Sequence, residues 1–443
     1  MKMFRLLPLF VAVSAALTVP VQAQSLVDLY QSARGFDASY QSAKSQYDAT
    51  LAKADQAKAA ILPTAGLALG ASRSTQEVIP DQGASSNRGF GTESATLSAS
   101  MPLYRPANWA SYRQGLKQID LAQAQLASAD QDLIVRVSQA YFDVLAAQDS
   151  LAFVQAQKTA VAEQLASAKR NFEVGTSTIT DTREAQARHD LVIAQEIAAD
   201  NDLRVKKIAL DQLVGKSNVQ PAALSQPLTL PALVPNDVNS WVVQSEVGHP
   251  AIAQSQIALD VAQLETQKAQ AGHKPTLDLG VSYSAINNQE GSSAVGVGSR
   301  VNGGTIGLTF NLPLFAGFST QNRIRETLAL EEKARNDLEG SKRAVAQGTR
   351  TAFFGVLSGQ GQVKALEAAE ASSQSALDAN KLGYQVGVRI NIDVLNSQSQ
   401  LFDTKAKLAK ARYDVLLGGL KLRQANGTLK ADDLQSVNAL LAK

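Results

Sequence analysis

Residues able to do covalent chemistry are sparse in this chain of 443 residues. Its three histidines, His189, His249 and His273, stand apart and form no H-x-x-x-H pair, and cysteine is absent. There is no Gly-rich phosphate loop and no nucleophile elbow. The sequence therefore predicts no enzyme activity, no cofactor and no metal site. It also excludes a disulfide framework and the lipid-modified cysteine of a lipoprotein. The patterned polar residues fall in two stretches, FEVGTSTITD from Phe172 and YQVGVRINID from Tyr384. Each reads aromatic-x-Val-Gly, a turn-like spacing, then Asp. Gly175 and Gly387 are 212 positions apart, as are Asp181 and Asp393. The chemistry on offer is hydrogen bonding and charge pairing at the ends of helices. Asp181 followed by Glu184 has the form of a capping box, and Asn391 or Asp393 is placed to cap the partner helix. Gly175 and Gly387 suit turns that need positive φ.

The elements that position these turns come in duplicate, which makes internal repetition the first fact about the fold. Pro63 in ILPTAGLALG answers Pro275 in HKPTLDLGVS at the same offset, and RVSQAYFDVL from Arg136 answers GTRTAFFGVL from Gly348. Pro102 answers Pro313 one residue out of step, and His249-Pro250 occupies the turn that Asp37-Ala38 fills. Residues 24–235 and 236–430 are thus two copies of one plan: short helix, strand, loop, strand, very long helix, Gly turn, helix. A C-terminal tail follows over 431–443.

Strands are predicted at about 64–73, 94–103, 275–285 and 304–314 from alternation of apolar and small or polar residues. Leu67 and Leu69, Leu97 and Met101, Leu279 and Val281, and Leu308 and Phe310 mark the apolar side. The segments between paired strands, RSTQEVIPDQGASSNRGFGTE and INNQEGSSAVGVGSRVNGG, read as long polar loops. Roughly 106–172 and 320–382 carry heptad-like apolar positions with no interior proline; Leu133, Val137, Ala140, Tyr141, Val144, Leu151 and Val154 illustrate the stripe. About 65 helical residues at ~1.5 Å each make a rod on the order of 100 Å, which needs sustained lateral packing.

Residues 1–23 read as a cleaved signal peptide, with Lys2 and Arg5, an apolar run and a Val21-Gln22-Ala23 site. An uncleaved anchor is the alternative, but the apolar run is short for a span. Without Lys2 and Arg5 the chain carries 40 basic against 40 acidic residues, a balance that suggests no nucleic-acid partner. No apolar run reaches transmembrane helix length, so a membrane must be met as strands. Their uncharged apolar face suits lipid, and their small polar face suits a lumen. Open sheet edges are not tolerated in a bilayer, and four strands are too few to close a barrel. A homo-oligomer with a shared barrel follows. Tyr104, Trp109, Phe315 and Phe318 lie where strands hand over to helices, either as an interfacial belt or as plugs beneath the barrel.

The chain resembles the TolC family of outer-membrane channels along essentially its whole mature length. The likeness rests on LYQSAR, ILPTAGL, HKPTLDLG, LPLFAG, AYFDVL and both tip segments, in order and in duplicate. The resemblance implies a mixed α+β membrane protein: a homotrimer whose chains give four strands each to a 12-stranded barrel in the Gram-negative outer membrane, continued by a periplasmic α-helical barrel. It implies an exit duct for proteins (type I secretion) or small toxic molecules, working with a periplasmic adaptor and an inner-membrane ABC or proton-driven transporter. A periplasmic coiled-coil spacer is the rival reading; it explains the helices but not the strands. The resemblance further implies that Thr180, Asp181, Tyr384 and Arg389 make gate contacts between neighbouring coils, Arg389 with Asp181 among them. Gly175 and Gly387 would meet the adaptor, and Asp393 would form an acidic constriction. The family's second acidic position is Asn396 here, which predicts weak block by multivalent cations, tightened by Asn396→Asp.

Overall fold

Two helical hairpins of unusual length hang from one four-stranded sheet. The computed structural model describes residues 24–79, 81–225, 228–290 and 297–442; the secretory segment read over 1–23 lies outside them. Short helices α1 (Leu26–Phe36) and α2 (Ala38–Ala59) open the first copy. Asp37 breaks the rod between them: its carboxylate accepts from the Tyr40 amide at 2.8 Å and from both Arg136 guanidinium nitrogens at 2.9 Å. Strands β1 (Thr64–Val78) and β2 (Ser86–Tyr104) lead to α3 (Pro106–Glu173) and α4 (Ile179–Val214). The second copy repeats this with α5 (Val238–Gly248), α6 (Pro250–Gln270), a 3-10 turn, β3 (Thr276–Gln289), β4 (Ser299–Asn311), α7 (Ser319–Gln385) and α8 (Asn391–Ala425). Proline opens both α3 and α6, where its missing N–H costs nothing.

The sheet runs β1-β2-β3-β4, antiparallel throughout. Its register lines up the apolar residues in rows: Leu67 opposite Leu97 opposite Tyr283, and Ala99 opposite Val281 opposite Ile306. The face they make is bare, with Leu69 and Ile306 each 75% exposed. Among the described residues the outer edges of β1 and β4 pair with no strand of the sheet. Such a sheet is a fragment of something larger. At its base β2 bulges between Pro102 and Tyr104, and Arg105 forks onto Asp278 at 2.7 and 2.8 Å, tying the start of α3 to β3.

The strands outrun the sequence expectation at the loop end. β1 continues five residues beyond 73, β2 starts at Ser86 and β4 at Ser299, so most of both polar segments is ladder; residues 80 and 291–296 lie outside the described residues. Alternation of apolar residues reports only the part of a strand that has one apolar face. Beyond it the backbone still pairs, and polar rungs replace apolar ones: Thr92 to Asn288 at 3.2 Å, Asn288 to Ser299 at 3.2 Å, Gln289 to Glu93 at 2.7 Å.

The core lies at mid-length of α3, where Leu133, Ile134, Val137, Tyr141 and Phe142 pack with α1, α4 and α8. Ala140 and Leu151 of the expected stripe sit at its margin. The C-terminal tail is part of this belt: α9 (Asp433–Asn438) buries Leu434, and Leu441 bridges Leu224. α2 and α6 flank α3 on the sheet side, and α4 and α8 flank it on the far side. The positions of Tyr104, Trp109, Phe315 and Phe318 at the sheet–helix junction are as the sequence places them, and all four are exposed. Phe315 and Phe318 stack edge to face at 5.4 Å, and Trp109 meets Tyr112 at 6.2 Å.

A candidate gate at the helical tips

Both long helices end in the same Schellman arrangement. In the first tip the Thr176 amide donates to the Asn171 carbonyl at 2.8 Å; in the second the Val388 amide donates to the Gly383 carbonyl at 2.9 Å. Gly175 has φ +80° and Gly387 φ +78°, and nothing lies within 4 Å of where a Cβ would project from either. Glycine is required there by backbone conformation and not by crowding. Beside them Val174, Val386 and Val388 are 72%, 65% and 79% exposed.

The capping box is real but starts one turn earlier than expected. Thr178, in extended backbone, caps α4 by accepting from the Asp181 amide at 3.2 Å. Asp181 is the third helical residue, and Glu184 takes no part. The Asp181 carboxylate accepts from Ser177 Oγ at 2.7 Å, Thr178 Oγ1 at 2.8 Å and the Thr178 amide at 3.0 Å. Partial burial pushes this carboxyl up, and the three hydrogen bonds together outweigh burial and hold it below the usual carboxylate range.

The second tip uses its residues differently. Ile390 stands at the cap position with no side-chain bond, so neither Asn391 nor Asp393 caps α8. Asn391 is fully buried. Its Oδ1 accepts from Gln164 of α3 and its Nδ2 donates to the Asp181 carbonyl of α4 at 3.3 Å. One amide of the second hairpin thus grips both arms of the first. Within the chain, Arg389 lies 3.7 Å from Asp393, while Asp181 is held by its own turn. Tyr384 accepts at its hydroxyl from Asn171 Nδ2 at 3.3 Å. Arg188 of α4 donates to Asn396 Oδ1 at 2.7 Å. Thr180 is exposed in the first turn of α4. Thr178, Asp181, Tyr384, Gly387, Arg389 and Asn391 line one cleft between the two tips, although the two stretches are more than 200 residues apart in sequence.

A sequence profile described as "Outer membrane efflux protein" matches the chain twice, over residues 29–216 and 241–428. The chain belongs to that family. It is 33% identical to the outer membrane protein TolC of Vibrio cholerae over 438 residues, covering 99% of this chain and 98% of that protein. It is 30% identical to the alkaline protease secretion protein AprF of Pseudomonas aeruginosa over 422 residues, 94% of this chain and 87% of that one. Among solved structures, the outer membrane protein VceC of Vibrio cholerae superposes with a TM-score of 0.77 at 19% identity, covering 91% of this chain and 96% of that one.

Family membership explains the incomplete sheet. The fold is that of the trimeric outer-membrane channels, in which each chain supplies four strands of a 12-stranded barrel continuous with the helical barrel. The protein is an outer-membrane protein of a Gram-negative bacterium, and the family consists of channels. The sequence reading passed over Gln164, Asn171, Arg188 and the inward orientation of Asn391. A signal was available for the last of these: Asn391 answers Ile179 at the repeat offset, a polar residue set against an apolar one between the shared Gly and Asp of the two turns.

Proposed function

We propose that this protein is the gated exit duct of a tripartite export system, closed at the helical tips and opened when a periplasmic adaptor engages them. The observation that carries this reading is the convergence of both tip turns on one cleft, at the far end of helices on the order of 100 Å long from the lipid-facing sheet. Three chains around one axis bring six such tips together. Arg389 and Tyr384 of the second tip then face Thr180 and Asp181 of a first tip across coil boundaries, and Asp393 forms the narrow acidic ring. The exposed valines beside Gly175 and Gly387 offer the adaptor an apolar end to grip. The aromatics at the sheet–helix junction form the periplasmic-side belt of the barrel, consistent with the 73% exposure of Phe315.

Proteins are the first cargo class, on the likeness to AprF, which is named for alkaline protease secretion; an ABC transporter would then supply the energy. Small toxic molecules are the second, on the family's description as efflux proteins, with a proton-driven pump as partner. The gate is tested by Arg389→Ser combined with Tyr384→Phe. Charge-assisted hydrogen bonds contribute roughly 1.5–3 kcal/mol each, and three symmetry copies, about 4.5–9 kcal/mol, bracket the about 5.5 kcal/mol that turns a mostly closed equilibrium into a mostly open one. The expected result is a several-fold rise in planar-bilayer conductance. Conductance at the wild-type level in correctly assembled trimers rejects the gate.

A further inference from the structure

At the second acidic position of the family pattern this chain has Asn396, and the structure shows what has been put beside it. Arg188 reaches across from α4 and donates to the Asn396 side-chain oxygen at 2.7 Å. Asp393 lies one turn earlier on α8, on the same face by helical spacing, with the Arg389 guanidinium 3.7 Å away. On α4 itself Arg188 has Glu184 one turn before it and Asp190 two residues after it; the bond Asp190 accepts from Gln186 at 2.8 Å leaves its charge in place. On α8, Asp393 has Arg389 one turn before it and Arg188 at the next turn, beside Asn396.

We propose that Arg188 is the residue that sets ion preference at this constriction, replacing the field of a second carboxylate with that of a cation and so favouring passage of anionic groups. The proposal rests on Asp393 marking the constriction. Its physical basis is that three-fold repetition puts three guanidiniums around one narrow aqueous mouth, where low-dielectric walls focus the field on passing ions. It also changes the meaning of the Asn396→Asp substitution. A carboxylate placed there falls within reach of Arg188 and forms a charge-assisted pair with it. The new negative charge is then neutralised where it stands and adds little to the ring. Asn396 by itself only leaves a charge out of the ring; Arg188 beside it adds one of the opposite sign.

The experiment uses assembled trimers of the mature chain in planar bilayers, reading reversal potential in a KCl gradient and block by La³⁺. Arg188→Gln should shift the reversal potential towards cation preference and tighten La³⁺ block about three- to ten-fold, as expected for removing a unit charge at close range. Arg188→Lys, which keeps the charge, should behave as wild type. Asn396→Asp alone should change the block by less than about two-fold, whereas Asn396→Asp with Arg188→Gln should tighten it more than either single change. The inference is overturned if Asn396→Asp tightens block by the same factor with or without Arg188, or if Arg188→Gln leaves the reversal potential unmoved. Asp393→Asn tests the underlying reading separately. Block unchanged by Asp393→Asn removes the constriction from Asp393 and the Arg188 inference with it, whereas block weakened by Asp393→Asn with the reversal potential unmoved in Arg188→Gln overturns the Arg188 inference alone.

Discussion

The two tips have one backbone and two side-chain economies. Both end in a Schellman turn with glycine at φ near +80°, and both carry Asp at the third position of the returning helix. In the first tip one oxygen of that carboxylate, Oδ2, is taken locally by Ser177 and Thr178. In the second, Ile390 offers no hydroxyl and Asp393 is left to Arg389. The first turn holds itself together, and the second is held by what it grips. Duplication has preserved the conformation that the chain must adopt and released the side chains that need not serve it.

The comparison is broken most directly at Asn391. This residue is fully buried and satisfies both Gln164 and the Asp181 carbonyl. Asn391→Ala removes the acceptor of Gln164, takes a second hydrogen bond from the Asp181 carbonyl and leaves a void, at a cost of about 3 kcal/mol per chain. Ile179, its counterpart in the first copy, is 48% exposed, and Ile179→Ala should cost about 0.5 kcal/mol or less. Denaturant titration of the two variants side by side checks the asymmetry; equal losses would mean that the second tip does not depend on its grip.

This division also explains what was legible in the sequence. The repeat, the long helices, the alternating part of each strand and the glycine turns all follow from local rules: periodicity, φ preference and caps. The polar ends of the strands were missed because pairing there is set by backbone register, which rungs such as Thr92–Asn288 do not announce as alternation. The sequence places the start of α4 one turn late because Thr178 and Asp181 are both good caps in isolation, and only the backbone angles choose between them. Asn391 and Arg188 were hidden for a different reason. Their partners lie on the other copy, and no local pattern records a contact 208 to 227 residues away.

A smaller effect separates the two caps. Thr178→Ala removes the hydroxyl that receives the Asp181 amide and should cost about 1 kcal/mol, seen as faster amide exchange in the first turn of α4. Ile390→Ala removes no cap and should leave the first turn of α8 unchanged. Ile390→Thr sharpens the contrast, because it offers Asp393 the box that Asp181 already has. It should protect the start of α8 while drawing Asp393 from Arg389. Unaltered exchange at α8 in Ile390→Thr would show that the missing hydroxyl is not what distinguishes the tips.

The same divergence recurs at the bend before α2 and α6, and there it predicts a pH dependence. Asp37 caps α2, and His249 caps α6 by accepting from the Ala251 amide at Nδ1, at 3.1 Å. An imidazole accepts only when neutral, and burial pushes the His249 pKa below its ordinary value. A depressed folded pKa means that the cap's contribution is complete above the unfolded value of about 6.5 and is lost as pH falls through the lower folded one. For Asp37, hydrogen bonding from Arg136 is the largest influence; it opposes burial and holds the carboxyl below the usual range. Its contribution is therefore complete above about pH 4 and declines only below that. Between about pH 6.5 and 4 the second copy should loosen while the first does not, by on the order of 1 kcal/mol, the worth of a cap. Trimer dissociation midpoints measured across that range should fall in the wild type and flatten in His249→Asp. A slope unchanged by His249→Asp would place the titrating group elsewhere.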